Sequence, residues 1–134
     1  MTFINEDDGI QTVIAPPYTG SELRLPRYAP EFGYEPQLVK RSYRESSKKQ
    51  IVTGTREDQS YLFRVRTRKL DGKIVSSLYG KIHGDIAFDV INSPTALLFF
   101  TYYLNPEPNS RNMEFDPKRN LLKNITRLEQ VNQP

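Results

Sequence analysis

An alternating run that ends in an Asp-Gly turn constrains the fold of this chain more than any other feature. Between residues 63 and 68, apolar or β-branched side chains alternate with arginines, which is the pattern of a strand with one buried face. Asp71-Gly72 then supplies the positive φ angles of a two-residue type I′ turn, and a β-prone run follows over residues 74–82. The sequence therefore predicts a β-hairpin over residues 61–82.

The turn also predicts the register of the hairpin. Side chains that lie opposite each other in an antiparallel pair share a face of the sheet. We therefore expect Arg64, Arg66 and Arg68 on one face, with the Arg64 guanidinium over the ring of Tyr79. The predicted cross-strand pairs are Phe63 with Gly80, Arg64 with Tyr79, Val65 with Leu78, and Arg66 with Ser77.

Two more strands are predicted after the hairpin. His83-Gly84 has the composition of a second turn or a bulge, and residues 86–90 alternate again as a third strand. The run Ala96–Leu104 is apolar on both faces, so as a strand it should be central and covered on both sides. A buried helix is the alternative, but the aromatic content and the proline-containing loop after Leu104 favour a strand at the heart of the core.

The first 45 residues are predicted to form an extended arm. They contain five of the ten prolines, at spacings that exclude a long helix or a central strand. They also contain more aromatic side chains than a disordered linker usually does. We expect the arm to lie against a surface of its own domain, of a second copy or of another protein, through Tyr18, Leu25, Tyr28, Phe32 and Tyr34.

Together these elements predict a mainly β fold, a small antiparallel β-meander with a long irregular Pro/Tyr-rich N-terminal arm. The 134 residues are the usual length of one domain. We divide them into the arm, residues 1–45, and a β-rich domain with an irregular C-terminal segment, residues 46–134. The sheet is expected to be open, packed as a sandwich or closed into a partial barrel.

Charge is distributed unevenly along the chain. Residues 1–39 have a net charge of −4, residues 40–81 of +8 and residues 82–134 of −1. A basic strand face with interleaved aromatics is typical of a surface that binds a polyanion or an acidic partner. The alternatives are a face or edge of the sheet that the arginines keep soluble, and pairing of the basic region with the acidic arm. The candidate binding residues are Arg64, Arg66, Arg68, Lys69, Tyr79 and Lys81.

Few residues are suited to catalysis. The chain has no cysteine, which excludes thiol chemistry and cysteine-ligated metals, and His83 is its one histidine. Four carboxylates are the remaining candidates for a shared acidic or calcium site, although they match no calcium-loop pattern. We therefore expect no catalytic residue, metal or cofactor. The four carboxylates are Asp85, Asp89, Glu114 and Asp116.

Three functional hypotheses follow. The first is a non-enzymatic structural or interaction subunit of a larger assembly, which docks through its arm on a protein partner or a second copy of the chain. The second is a β-domain that binds nucleic acid or another polyanion. The third is a β-barrel or jelly-roll enzyme that uses carboxylates, and the scarcity of acid–base groups places it last.

The sequence also bears on location. Its N-terminus is acidic, and no apolar run of a secretory signal follows it. The longest apolar stretch is much shorter than the roughly 20 residues of a membrane-spanning helix. We therefore expect no membrane insertion, and a cytoplasmic location or one within an assembled particle.

Overall fold

A computed structural model describes residues 1–14, 25–45, 50–52, 54–92 and 95–127 of the chain. Within these ranges the chain forms strands and one short 3-10 turn, Pro117–Arg119. No helix in them is long and apolar enough to cross a membrane. The strands are β1 (Gly9–Ile14), β2 (Tyr43–Glu45), β3 (Gln50–Val52), β4 (Gln59–Leu70), β5 (Lys73–Asn92) and β6 (Thr95–Leu104).

Four of these strands form one antiparallel sheet in the order β1-β4-β5-β6. Strands β2 and β3 pair separately as a small two-stranded sheet. The predicted mainly β, antiparallel fold is confirmed, and the sheet takes the open form among the three that the sequence allowed.

The β4–β5 hairpin is confirmed with its Asp-Gly turn. Asp71 has a φ of 50° and Gly72 a φ of 75°, as a type I′ turn requires. The predicted pairs of residues 63–65 with residues 78–80 are also present. A β-carbon on Gly80 would lie 2.2 Å from Cζ of Phe63, so the glycine is what allows the Phe63 ring to lie across β5.

The predicted pairing of Arg66 with Ser77 is wrong, because a β-bulge interrupts β4. The next paired residue of β4 after Val65 is Arg68, so Arg66 and Thr67 together oppose Ser77. Arg66 has a φ of 56°, in the left-handed region. An extra residue in one strand interrupts the alternation of faces.

The bulge also separates the three arginines that were expected on one face. Arg64 and Thr67 lie three residues apart, yet both side chains donate to the backbone oxygen of Asp7. A regular strand would place them on opposite faces. Arg68 therefore lies on the face opposite Arg64.

The acidic N-terminal segment holds this bulge in place. The Asp8 carboxylate accepts hydrogen bonds from the backbone N–H of Arg66 at 3.0 Å and of Thr67 at 2.9 Å. The Asn5 amide donates to the backbone oxygen of Thr67 at 2.7 Å. Arm side chains therefore satisfy backbone groups that the interrupted ladder leaves without a partner strand.

The alternation after Gly84 continues β5 and does not begin a new strand, so the prediction of a separate third strand is wrong. The bulge alternative for His83-Gly84 is confirmed: His83 pairs with Thr101 but Ala87 with Phe99. Gly84 has a φ of 78° and absorbs the extra residues without reversing the chain.

The arm covers both faces of the sheet. Phe3 and Leu38 pack on one face, and Ala29 and Tyr34 belong to the cluster on the other. Burial therefore comes from irregular chain, where many β folds use a second sheet or a helix. The buried residues of the first cluster are Ile10, Tyr61, Ile82 and Ile86, and those of the second are Ala29, Leu62, Tyr79 and Met113.

Within the arm, residues 9–14 form the edge strand β1, and residues 35–36 run along its outer side. Ile10 and Glu35 exchange two backbone hydrogen bonds of 3.0 and 2.9 Å, and the N–H of Phe3 donates to the oxygen of Pro36 at 2.9 Å. A β-carbon on Gly9 would lie 2.7 Å from the backbone oxygen of Glu35. Glycine at position 9 therefore allows this close approach.

Arg64 joins two passes of the arm to the central strand β4. Its side chain donates to the backbone oxygen of Asp7 at 2.8 and 2.6 Å and to that of Glu31 at 2.9 Å. The guanidinium lies 4.8 Å from the centroid of the Tyr34 ring, so its cation–π partner is Tyr34. The residue is only 8% exposed, which makes it a structural tie.

The prediction that Ala96–Leu104 forms the central, covered strand is wrong. This run forms β6, which is the last strand in the sheet order. Its large apolar side chains are 37% to 59% exposed, apart from Tyr103. The buried residues of the two clusters come from β1, β4, β5, the arm (Ala29) and the C-terminal segment (Met113), and none of them is a described residue of β6.

We expect Arg64→Ala to lower the free energy of unfolding by about 3 kcal/mol, because it leaves two backbone oxygens of the arm without their charged donor. Arg68→Ala is the matched control on the same strand, since Arg68 is exposed, and we expect a change within about 0.5 kcal/mol. Urea unfolding followed by circular dichroism measures both. Equal losses in the two variants would contradict the assigned role of Arg64.

Candidate interaction surface

The structure divides the predicted basic set into buried and exposed members. Arg64, Tyr79 and Lys81 are buried, at 8%, 6% and 5% exposure. Arg66, Arg68 and Lys69 are exposed on the half of the hairpin near its turn. Only this second group is accessible to a polyanion, and the alternative of pairing with the arm applies to Lys69, whose ammonium lies 2.5 Å from Asp7.

Lys81 is part of the interior rather than of a basic face. Its ammonium lies 4.9 Å from the centroid of the Tyr103 ring. Burial lowers the pKa of Lys81, an effect that the charge of Glu114 partly offsets. The aromatic contact favours the charged form, as a cation–π pair does.

The docking residues predicted in the arm also differ in exposure. Tyr18 lies outside the described residues. Tyr34 packs on the sheet, with its ring 6.3 Å from that of Tyr79 and its hydroxyl donating to Pro30, and Leu25 is half-buried. Tyr28 and Phe32 are 55% and 78% exposed, so they are the described arm aromatics that can reach another molecule.

Asp85 lies in the bulge of β5 between His83 and Ala87 and connects it to the arm. Its carboxylate accepts hydrogen bonds from several donors. Its side chain is 1% exposed, with the ammonium of Lys40 at 2.5 Å. The Tyr61 hydroxyl donates to it, as do the backbone N–H groups of Arg56 and Ile86, both at 2.8 Å. Burial raises the pKa of Asp85, but these hydrogen bonds outweigh it and hold the pKa below the usual value of a carboxyl.

The other candidate carboxylates have separate partners. Glu114 forms an ion pair with Arg27 at 3.3 Å, and Asp116 accepts from the backbone N–H of Lys118. The side chain of Asp89 lies outside the described part of the structure. No group of three or more metal-ligating residues occurs among the described residues. Asp85, Glu114 and Asp116 therefore do not converge on a shared site.

The exposed apolar side chains of β6 form the most distinctive surface, which we call the β6 surface. Leu98, Phe100, Tyr102 and Leu104 lie on one face of the strand, and Leu97 and Phe99 on the other. The run 96–104 contains no charged residue. At about 200 Å² for each fully exposed side chain, these six side chains expose on the order of 600 Å² over the two faces together.

Sequence reasoning recognised this apolar run but assigned it to the core. The apolar composition of the run does not distinguish a strand buried on both faces from an exposed edge strand. The missing information is strand order, which the contacts of the arm determine.

Comparison with known proteins identifies no relative. No protein-family profile, curated protein or solved structure matches the chain. Assignment of a function therefore rests on the β6 surface and on the exposed half of the hairpin.

The low pKa of Asp85 predicts an acid-sensitive fold. The pKa of an aspartate in the unfolded chain is about 3.9. A carboxyl whose pKa is lower than this in the folded chain stabilises the fold above the unfolded pKa, and this stabilisation is lost as the pH falls through the folded pKa. We expect Asp85→Asn to lower stability at pH 7 and to flatten its decline in acid. Urea unfolding at a series of pH values measures this, with exposed Glu107→Gln as the control.

A pH dependence of Asp85→Asn that parallels the parent chain would show that Asp85 does not contribute to the acid sensitivity. A flattened profile in Glu107→Gln would show that the effect is not specific to the buried cluster.

Proposed function

We propose that this protein is a non-enzymatic interaction subunit of a larger assembly, and that a partner strand adds to the outer edge of β6. The observation that supports this most is the position of β6, an uncharged edge strand with apolar side chains exposed on both faces. Addition of a strand supplies backbone hydrogen bonds and packs new side chains beside those of β6 on both faces.

The two edges of the sheet differ in how far other described parts of the chain cover them. The backbone of Glu35 pairs with Ile10 and covers part of the outer edge of β1. The outer edge of β6 has no paired strand within the described ranges. Proteins usually protect a free edge with charged side chains, proline or a covering segment. The run 96–104 has neither charge nor proline, which favours a partner strand as its cover.

The neighbouring part of β5, beyond the end of β6, is covered by a loop. The N–H of Asn109 donates to the backbone oxygen of Ser77 at 2.8 Å, and the N–H of Ser77 donates to the Asn109 side chain at 3.0 Å. The Asn109 amide also donates to the oxygen of Val75 at 3.1 Å. The loop therefore covers the edge of β5 only as far as the Leu104 end of β6.

The β6 surface also limits the chemistry of the partner. An uncharged strand offers no ion pair, so a charged partner segment would lose hydration without compensation. The added segment must be extended, largely apolar and able to present side chains on both faces. The described part of the arm first covers its own sheet, and we propose Tyr28 and Phe32 as its further contacts with the partner.

Strand addition can be tested with a peptide of residues 95–104, flanked by lysines for solubility and labelled with a fluorophore. We expect the peptide to bind the full chain and Phe99→Lys to weaken binding by about 10-fold or more, because it places a charge in the apolar contact. Ile14→Lys is the control, since Ile14 is exposed to a similar degree in β1, 56% against 59%. Fluorescence anisotropy measures both.

Absence of peptide binding to the parent chain would contradict strand addition at β6. Equal weakening by Phe99→Lys and Ile14→Lys would indicate general stickiness rather than a site on β6.

A second candidate function is polyanion binding by the exposed part of the hairpin. Arg66, Arg68 and Lys73 are exposed near the turn, and among the described residues none of them forms an ion pair. Free cations of this kind neutralise phosphates and release counterions. The set is smaller than the sequence predicted, because Arg64 and Lys81 are buried.

Retention on immobilised nucleic acid tests this second function. We expect the combined change Arg66→Gln with Arg68→Gln to lower the slope of log affinity against log salt by about 1 to 2 units, because two phosphate contacts are lost. The exposed pair Lys118→Gln with Arg119→Gln, on the 3-10 turn, is the control. Failure of the parent chain to bind at low salt would exclude polyanion binding.

A further inference from the structure

We infer that the strand that adds to β6 is β6 of a second copy of this chain, in antiparallel orientation with Phe100 opposite Phe100. This inference rests on the proposed strand addition and names its partner. The two four-stranded sheets would then form one continuous antiparallel sheet, with β6 and its symmetry mate at the centre.

The β6 surface is complementary to itself. Its side chains are neutral and apolar over 96–104, so a second copy supplies the uncharged, extended and two-faced segment that the edge requires. Each copy exposes on the order of 600 Å² of apolar side-chain surface over the two faces of β6. Edge pairing buries the outer backbone groups and the flanks of these side chains, so the pair forms a small interface, below the roughly 800 Å² that each partner buries in a standard one.

Symmetry limits the register of such a pair. A two-fold axis that relates neighbouring antiparallel strands is perpendicular to the sheet, so each face stays on its own side and opposite residues share a face. The run 96–104 overlaps itself completely only when its central residue, Phe100, lies on the axis. Leu98 then lies opposite Tyr102 of the second copy, and Phe99 opposite its Thr101.

The backbone of β6 fits this register. The N–H of Asn105 donates to the oxygen of Tyr79 at 2.9 Å, which fixes the residues that point toward β5. Because the direction of backbone groups alternates along a strand, Phe100, Tyr102 and Leu104 direct their N–H and C=O groups outward. With Phe100 on the axis, outward-pointing residues of the two copies meet each other and form hydrogen-bonded pairs.

Charge favours the antiparallel orientation. The hairpin turn next to the exposed cations Arg66, Arg68 and Lys73 lies beyond the Leu104 end of β6. In the antiparallel pair the two basic hairpin ends point in opposite directions. A parallel pair would place them side by side, where like charges repel.

A disulfide tests the register, because the chain has no cysteine of its own. In Phe100→Cys the two opposed α-carbons are expected about 5.5 Å apart, within the range that a disulfide bridges. Leu104→Cys is the control on the same face of the same strand, and its counterpart would lie roughly 27 Å away at about 3.4 Å per residue. We expect mild oxidation to give a covalent dimer with Phe100→Cys and not with Leu104→Cys.

A second experiment places opposite charges at position 100, and it tests the dimer even if the cysteine substitution weakens it. We expect the parent chain to sediment at twice its mass of 15.6 kDa, and Phe100→Lys and Phe100→Glu to sediment separately as monomers, with dissociation constants raised about 100-fold or more. An equimolar mixture of the two variants should regain the dimer mass, because opposite charges then face each other. Recovery in the mixture also shows that both variants fold.

Three results would overturn the pairing of two copies: a parent chain that sediments as a monomer at every concentration, equal cross-linking of both cysteine variants, or failure of the mixture to associate. If the labelled strand peptide still binds such a monomer, strand addition stands and only the identity of the partner is wrong. If the peptide also fails to bind, both proposals are wrong.

Discussion

The buried guanidinium of Arg64 connects the parts of this structure that would otherwise separate. It lies on the central strand β4 and donates to backbone oxygens of Asp7 and Glu31, from two passes of the arm. The arm covers part of both faces of the sheet, and Met113 of the C-terminal segment belongs to one of the two buried clusters. A small open sheet with irregular cover is stable only where that cover is fastened, and β6 lies outside its reach.

The features that the sequence predicted well depend on neighbouring residues. Asp71-Gly72 and the flanking alternation determine a hairpin locally, so its turn and central pairs follow from the sequence. The bulge at Arg66 and Thr67 does not, because it depends on Asp8, which is distant in sequence and accepts both backbone N–H groups. The edge position of β6 likewise depends on where the arm packs.

The candidate sites show the same division. The sequence identified the cations of the hairpin, but whether a ligand can reach them depends on burial. Arg64 donates its hydrogen bonds to the arm, and Lys81 lies against Tyr103. The apolar run of β6 was visible in the sequence, yet the same composition suits a buried strand and an exposed edge strand. Asp85 resembled a candidate acid in sequence, and its saturated set of donors assigns it to the fold.

Amide hydrogen exchange at increasing protein concentration tests the contrast between the two edges most directly. We predict that the amides of Ile10 and Glu35, which pair with each other, stay protected at every concentration. The outward amides of Tyr102 and Leu104 should exchange quickly in dilute protein and become protected as the concentration rises. Exchange of the β6 amides that does not depend on concentration, or an Ile10 amide as labile as theirs, would contradict a sheet with one edge closed by its arm and the other by a second copy.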